Sequence, residues 1–137
     1  MRQAERLGAA AIGRYVRGWI PGNRYLEGRW DEAEALADAF IAECAREPHY
    51  GEAYARYWRS LLRLSRDDAP GAVEDARRAL DVARRAKSPQ VLVPALALNL
   101  RVAAELGRVE EARAYAAELL DERRSHPGSH PALQLAF

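Results

Sequence analysis

The residues of this 137-residue chain that could carry reactive groups are few and poorly placed for catalysis. His126 and His130 have the four-residue spacing of a helical metal pair. The proline- and glycine-rich surroundings at 125–131 disfavour a helix there, and no acid or cysteine is adjacent. Cys44 is the only cysteine, and it belongs to an apolar stripe typical of core packing. We therefore expect no metal site, no cofactor and no cysteine nucleophile.

Two acidic pairs could act as paired carboxylates in acid–base chemistry. They are Asp31/Glu32 and Glu110/Glu111. Each pair falls at the predicted start of a helix, where the positive end of the helix dipole favours acids. A glycine-rich phosphate loop ending in Gly-Lys-Ser or Gly-Lys-Thr is absent from the sequence, which argues against ATP hydrolysis. We expect a protein that is not an enzyme.

Three arginines share one face of a predicted helix and could bind an anion. Arg56, Arg59 and Arg63 have helical spacing, and the guanidinium group offers two parallel donors to a carboxylate or phosphate. One interpretation is a solvated face that Glu52 partly neutralises. The other is a contact with an anion or an acidic peptide.

Aromatic residues are dense in the same helix. Tyr50, Tyr54, Tyr57 and Trp58 lie within nine residues. They could fill the core between helices, or they could line a groove that holds a peptide or small ligand against rigid rings. The spacing alone does not separate these two interpretations.

Helical periodicity runs through every strong segment, and no alternating strand pattern of useful length is present. Pro21-Gly22-Asn23 should break or kink the first helix, and Pro94 should bend the fifth. Residues 125–137 are expected to form a loop and an apolar tail. The six helices are predicted at about residues 3–19, 30–46, 49–65, 69–87, 89–106 and 108–124.

A six-residue phrase occurs three times: glycine, any residue, an apolar residue, two acids and alanine. It begins at Gly28, Gly71 and Gly107, so the steps are 43 and 36 residues. Repetition at such a period indicates stacked helical hairpins. Each phrase is predicted to form the turn into the second helix of a hairpin, with the glycine at the helix exit.

The phrase Gly28-Arg29-Trp30-Asp31-Glu32-Ala33 resembles the tetratricopeptide repeat, and the resemblance spans about residues 5–124. It implies an all-α domain at 1–124, with six or seven antiparallel helices in three stacked hairpins that form an α-α superhelix. The runs at 47–50, 64–67 and 86–91 are similar to the C-terminal repeat regions of large bacterial signalling proteins. Those regions follow an ATPase module, sometimes with a cyclase or a DNA-binding helix-turn-helix domain.

The resemblance also implies a groove lined by the first helix of each hairpin. Asn99, followed by Leu100, is similar to a pair found in many tetratricopeptide repeats, where the amide can hold a peptide backbone or carboxylate. The alternative for Asn99 is a structural hydrogen bond within an apolar helix. The groove residues implied are Arg14, Tyr15, Trp19, Tyr54, Tyr57, Trp58, Asn99 and Val102.

Bulk composition narrows the function further. The net charge of +1 argues against general affinity for nucleic acids or membranes. The sequence shows no signal-peptide core and no apolar run of membrane-spanning length, so we expect a cytoplasmic location. The first hypothesis is a scaffold that binds a protein segment or a neighbouring domain in a bacterial regulatory or signalling protein. The second is a ligand-sensing module that uses the aromatic groove.

The C-terminal tail carries Leu133, Leu135 and Phe137. These apolar residues could cap the last helix or pair with a second copy of the chain, because end faces of stacked repeats stay uncovered unless capped. A homodimer is therefore one expected partnership.

Overall fold

The structure, a computed structural model, describes residues 2–127 and contains six α-helices over that range. Short turns join the helices into three hairpins, and no strand is present among the described residues. The predicted all-α fold of three hairpins is confirmed. The helices are α1 (Arg2–Leu26), α2 (Trp30–Arg46), α3 (Glu52–Ser65), α4 (Ala69–Ala86), α5 (Pro89–Glu105) and α6 (Val109–Ser125).

Each helix packs against the next one in the chain, and α3 also contacts α1 and α5. The first helices of the hairpins therefore form one continuous layer. The main core lies among α3, α4 and α5, where Leu61, Leu80 and Leu96 are buried, and Leu119 of α6 joins it. A smaller core lies between α2 and α3 around Phe40.

The first helix runs through Pro21 to Leu26, so the predicted break at Pro21 is wrong. Pro21 is fully buried, and its burial offsets the backbone hydrogen bond that its missing N–H removes. Close approach to α3 adds to this packing. A Cβ at Gly18 would lie 2.7 Å from the Gly51 carbonyl oxygen, and one at Gly22 would overlap the Trp58 ring.

The three turns inside the hairpins share one backbone geometry. Gly28, Asp67 and Gly107 have positive φ angles of 76°, 59° and 69°. In each turn the N–H of the following residue donates to a carbonyl five residues earlier. The equivalent positions are therefore 39 and 40 residues apart.

The middle occurrence of the repeated phrase does not form a turn. The repeat lengths are therefore 39 and 40 residues, instead of the 43 and 36 residues that separate the phrases. Gly71 lies in the first turn of α4, where its N–H donates to the Asp68 side chain at 3.0 Å. Asp67 takes the left-handed position that glycine takes in the other two turns. Aspartate tolerates this conformation better than most residues, so the turn lacks the glycine that marks it elsewhere.

Candidate functional site

Three guanidinium groups of α3 converge on one carboxylate of α4. Arg59 binds Asp75 at two points, with Nε–Oδ2 at 2.8 Å and Nη2–Oδ1 at 2.7 Å. Arg56 Nη1 lies 2.9 Å from Oδ1, and Arg63 Nη1 lies 3.0 Å from Oδ2. Asp75 has no exposed surface. The buried charge is thus surrounded by donors, as burial of a carboxylate requires.

Further carboxylates complete this cluster, which we define by Asp75 and its three arginines. Arg56 also pairs with Glu52 at 2.7 Å, and Arg59 with Asp38 of α2 at 2.6 Å. Burial lowers the pKa of Arg59, but hydrogen bonds with Asp75 and Asp38 outweigh burial and raise the pKa above its ordinary value. The three arginines that could have bound an external anion therefore pair with a carboxylate of the chain itself, that of Asp75.

Asp75 was not predicted to belong to the site. It is one of the two acids in the phrase that begins at Gly71, and its place there suggested the start of a helix. In the structure Asp75 lies two turns into α4, on the side that faces α3. The signal that could have found it is the three-residue and four-residue spacing of the arginines on the preceding helix. Such a row needs a counter-charge on the helix that packs against it.

Asn99 lies in the interface between α5 and α4. Its side chain is 3% exposed, and Nδ2 donates to the carbonyl oxygens of Ala76 at 2.7 Å and Ala95 at 2.8 Å. Val102, another predicted groove residue, is also buried. The crevice beside them measures about 10 Å³, at most the size of one water molecule. The geometry matches a structural hydrogen bond rather than an open groove.

The aromatic residues of α1 and α3 divide into interior and surface rings. Trp19 stacks on Tyr54 with ring centres 4.3 Å apart, and Tyr15 meets Tyr54 edge-on at 5.8 Å. Tyr54 is 3% exposed, and its hydroxyl donates to the Gln90 carbonyl at 3.1 Å. Burial raises the pKa of Tyr54 well above its ordinary value. Tyr54 is therefore a core residue, whereas Trp19 keeps 37% of its surface exposed.

A second group of rings continues along the same layer. The Trp58 ring lies 5.7 Å from Tyr25 and 5.1 Å from Tyr57, and the ring of Tyr25 also stacks on Trp30. Trp58 and Tyr57 are half-buried. Burial raises the pKa of Tyr57 despite the opposing charge of nearby Arg101. Tyr25 was not predicted to belong to the site, because the first helix was predicted to end at about residue 19.

We call the partly exposed rings of Trp19, Tyr25, Tyr57 and Trp58 the aromatic band. The band crosses from α1 to α3, and Gly22 lets the Trp58 ring lie against the α1 backbone. Trp58 Nε1 is buried without a hydrogen-bond acceptor among residues 2–127. Within the band, the Trp58 ring packs against Tyr25 and Tyr57, whereas Trp19 stacks on the buried ring of Tyr54.

Arg14, the remaining predicted groove residue, faces α2. Its guanidinium group pairs with the Glu47 side chain at 3.0 Å and donates to the Glu47 carbonyl oxygen. Arg17 adds a two-point pair with Glu43, both contacts at 2.8 Å. Hydrogen bonding with Arg17 lowers the pKa of Glu43. Arg14 thus fastens α1 to the end of α2 and does not join the aromatic band.

A recess of about 350 Å³ lies between the α2–α3 loop and the C-terminal end of α4. The sequence did not indicate this recess, because its walls come from two segments that are at least 30 residues apart. His49 and Tyr50 stack at its rim with ring centres 4.4 Å apart. Its lining residues are Pro48, His49, Tyr50, Glu52, Val82, Arg85 and Ala86.

Comparisons with known proteins add no family to this description. No protein-family model matches the chain, and neither a curated protein nor a solved structure is significantly similar to it. Over residues 2–127, no helix combines the length and apolar character needed to cross a membrane. Of the two histidines whose spacing was considered and rejected as a metal pair, His126 lies just after α6 with Nδ1 3.5 Å from Glu122 Oε2, and His130 lies outside the described residues.

Proposed function

We propose that this chain is a non-catalytic helical-repeat domain of the tetratricopeptide type, which binds a protein segment through the layer of α1, α3 and α5. The aromatic band is the observation that carries this proposal. It presents half-buried rings on the layer that resembles the groove side of such repeats. Rigid amphipathic rings bind well because little side-chain entropy is lost when a partner covers them.

The buried charges support a passive scaffold. The arginine cluster around Asp75 is satisfied internally, and Asn99 bonds to backbone carbonyls. These polar groups stabilise the packing of neighbouring helices and are not available to a substrate. A rigid stack of hairpins with an aromatic surface suits binding better than reaction.

The partner class follows from the resemblance and from the band. The resemblance to repeat regions of bacterial signalling proteins favours a neighbouring domain or a partner in a regulatory pathway, including transcription regulation, in the cytoplasm. The exposed Arg101 beside Tyr57 adds positive charge near the rings, although Glu105 pairs with it at 2.8 Å. We expect an extended segment with apolar anchors.

Site-specific photocrosslinking tests this proposal. A photoreactive phenylalanine analogue replaces Tyr57 in the full chain inside its host cells, and a matched probe replaces Ala42 on the exposed side of α2. The proposal expects a partner captured at Tyr57 and not at Ala42. The purified partner should then bind Tyr57→Ala about tenfold more weakly than wild type, as for an interface hot spot. Equal affinity for wild type and Tyr57→Ala would overturn the proposal.

The recess beside His49 and Tyr50 favours one second candidate, a small-ligand sensor. Its volume of about 350 Å³ falls at the lower end of typical ligand sites. A thermal-shift screen of metabolites tests it, because a ligand at 100 times its Kd adds about 2.7 kcal/mol of stability. A stabilising ligand whose effect disappears in Tyr50→Ala would support the sensor. The absence of any shift would oppose it.

A further inference from the structure

One side of α1 carries an exposed apolar stripe. Ile12, Val16, Trp19 and Leu26 are 66%, 50%, 37% and 72% exposed, and exposed Asn23 lies between them. The spacings of four and three residues alternate along the stripe. This is the spacing of a seam by which two helices pack together.

The repeat register identifies this stripe as a stacking face. Because equivalent turns are 39 and 40 residues apart, each position on α1 has a counterpart on α3 and on α5. For Ile12, Val16 and Trp19 these counterparts are buried or half-buried against the preceding hairpin. Leu26 is the exception, because its counterparts Ser65 and Glu105 are exposed. In the second hairpin, the counterparts of Ile12, Val16 and Trp19 are Gly51, which caps the start of α3, and Ala55 and Trp58 within α3. On α5 the counterparts are Val91, Ala95 and Leu98.

Contacts made by α3 show how such a face is used. Ala55 is fully buried in the small core with Phe40 and Cys44 of α2. Gly51 lies against Gly18 of α1, and the Trp58 ring covers Gly22. The stripe on α1 is therefore the continuation of an interface that the molecule already uses twice.

We propose that a second copy of this chain covers the stripe, with the two α1 helices antiparallel across a twofold axis near Trp19. The side chains favour this occupant over a closely nested hairpin. Ile12 and Val16 are each larger than their counterparts in both later hairpins, so they suit the interlocking of a helix seam. Those counterparts are Gly51 and Ala55 in the second hairpin and Val91 and Ala95 in the third. Such a contact uses the same patch on both copies and closes as a dimer.

The charges agree with this arrangement. The opposite end of the layer, on α5, exposes Arg101. A head-to-tail contact, in which the α1 stripe of one copy packs on α5 of the next, would have to cover the charge of Arg101. An antiparallel pair sets the dipoles of the two α1 helices in opposite directions, which is favourable, whereas a parallel pair aligns them.

The proposed dimer is distinct from partner binding through the aromatic band. Trp19 borders both surfaces, but Val16 belongs to the stripe alone and Tyr57 to the band alone. The contact buries one helix stripe on each copy. The area buried per copy should therefore be smaller than the roughly 800 Å² per partner of a standard interface. We therefore expect a dimer that dissociates in the micromolar range.

Sedimentation velocity over a wide range of protein concentration tests the dimer. Wild type should shift from monomer to dimer, and Val16→Glu and Ile12→Glu should stay monomeric. Both positions are at least half exposed, so these variants should fold. Val109→Glu is the matched control, because Val109 is 54% exposed on α6, away from the stripe, and it should dimerise like wild type. A wild type that stays monomeric, or a dimer that Val16→Glu leaves unchanged, would overturn the proposal.

Disulfide trapping tests the orientation. In an antiparallel pair, Ile12 of one copy lies near Leu26 of the other. An equal mixture of Ile12→Cys and Leu26→Cys should give a crosslinked dimer on oxidation, while each variant alone should not. Native Cys44 is buried and does not compete. Crosslinking of each variant with itself would indicate a parallel pair and would overturn the antiparallel arrangement.

Discussion

Arg59 and Asp75 form a two-point ion pair between α3 and α4, with contacts of 2.8 and 2.7 Å. Asp75 has no exposed surface, and Arg56 and Arg63 occupy the remaining sides of its carboxylate. A buried ion pair of this kind does not by itself make a protein stable. Breaking it is costly, because the remaining charges lose their partner without regaining water.

Asp75→Asn should destabilise the fold strongly. It leaves three arginines around a neutral amide, and loss of one partner from a buried pair typically costs about 3–5 kcal/mol. Urea unfolding followed by circular dichroism measures the loss. Asp81→Asn on the exposed side of the same helix is the control and should change stability by less than about 0.5 kcal/mol. Similar stabilities for the two variants would contradict the assigned role of Asp75.

Two glycines within α1 should respond oppositely to alanine. A Cβ at Gly22 would overlap the Trp58 ring, whereas a Cβ at Gly13 meets nothing within 4 Å. Gly13→Ala should stabilise the protein by roughly 0.5–1 kcal/mol through helix propensity. Gly22→Ala should cost about 1–3 kcal/mol through overpacking. Thermal unfolding of both variants provides the comparison, and stabilisation by Gly22→Ala would show that α1 does not pack closely on Trp58.

Asn99→Asp should be more harmful than Asn99→Leu. The amide Nδ2 faces the carbonyl oxygens of Ala76 and Ala95, so a carboxylate there would place acceptors against acceptors in a buried site. Loss of the donor alone should cost about 1–3 kcal/mol. Asn23→Asp on the exposed side of α1 is the matched control and should be nearly neutral. If unfolding curves of Asn99→Asp and wild type coincide, the structural role of Asn99 is wrong.

Stability should fall as pH falls through the range in which histidine titrates. Burial and the nearby charge of Arg14 lower the pKa of His49 below 6.5, and its Nδ1 accepts the Gly51 N–H at 3.0 Å. The unfolded chain therefore binds a proton at a higher pH than the folded chain does. Folding is favoured above the unfolded pKa, and this contribution is lost as pH falls towards the folded value.

His49→Asn isolates this effect, because the two proteins share every other titratable group. As pH falls from about 7.5 to about 5.5, the free energy of unfolding of wild type should decrease more than that of His49→Asn. Chemical denaturation at several pH values measures it. A difference that is independent of pH would show that His49 titrates alike in folded and unfolded chains.

The six helices could be predicted because their signals are local. Apolar residues at helical spacing, Pro89 at a helix start, and glycines at positions 28 and 107 each act over a few residues. The observed helix ends lie close to those predicted, except at Pro21 and at the start of α3. Proline at position 21 is tolerated because α1 packs on α3, which no local rule includes.

Unlike the helices, the candidate site could not be predicted in detail from the sequence, because residues of the same type could be either buried or exposed. Tyr54 and Trp19 are both aromatic residues at groove positions, yet one is buried beneath the other. Sequence periodicity identifies the face of a helix but not which neighbour covers that face. The division of the aromatic residues into core and band therefore required the packing of α1 on α3.

By itself, the sequence determined the helical class, the hairpin succession and the approximate places of the three turns, since backbone propensity and short-range spacing decide these. The tertiary structure alone decided that Asp75 is the anion for the arginines of α3. It also decided that the stripe through Val16 stays uncovered among the described residues. These facts depend on contacts between residues distant in the chain, and burial and charge pairing exist only after the helices pack.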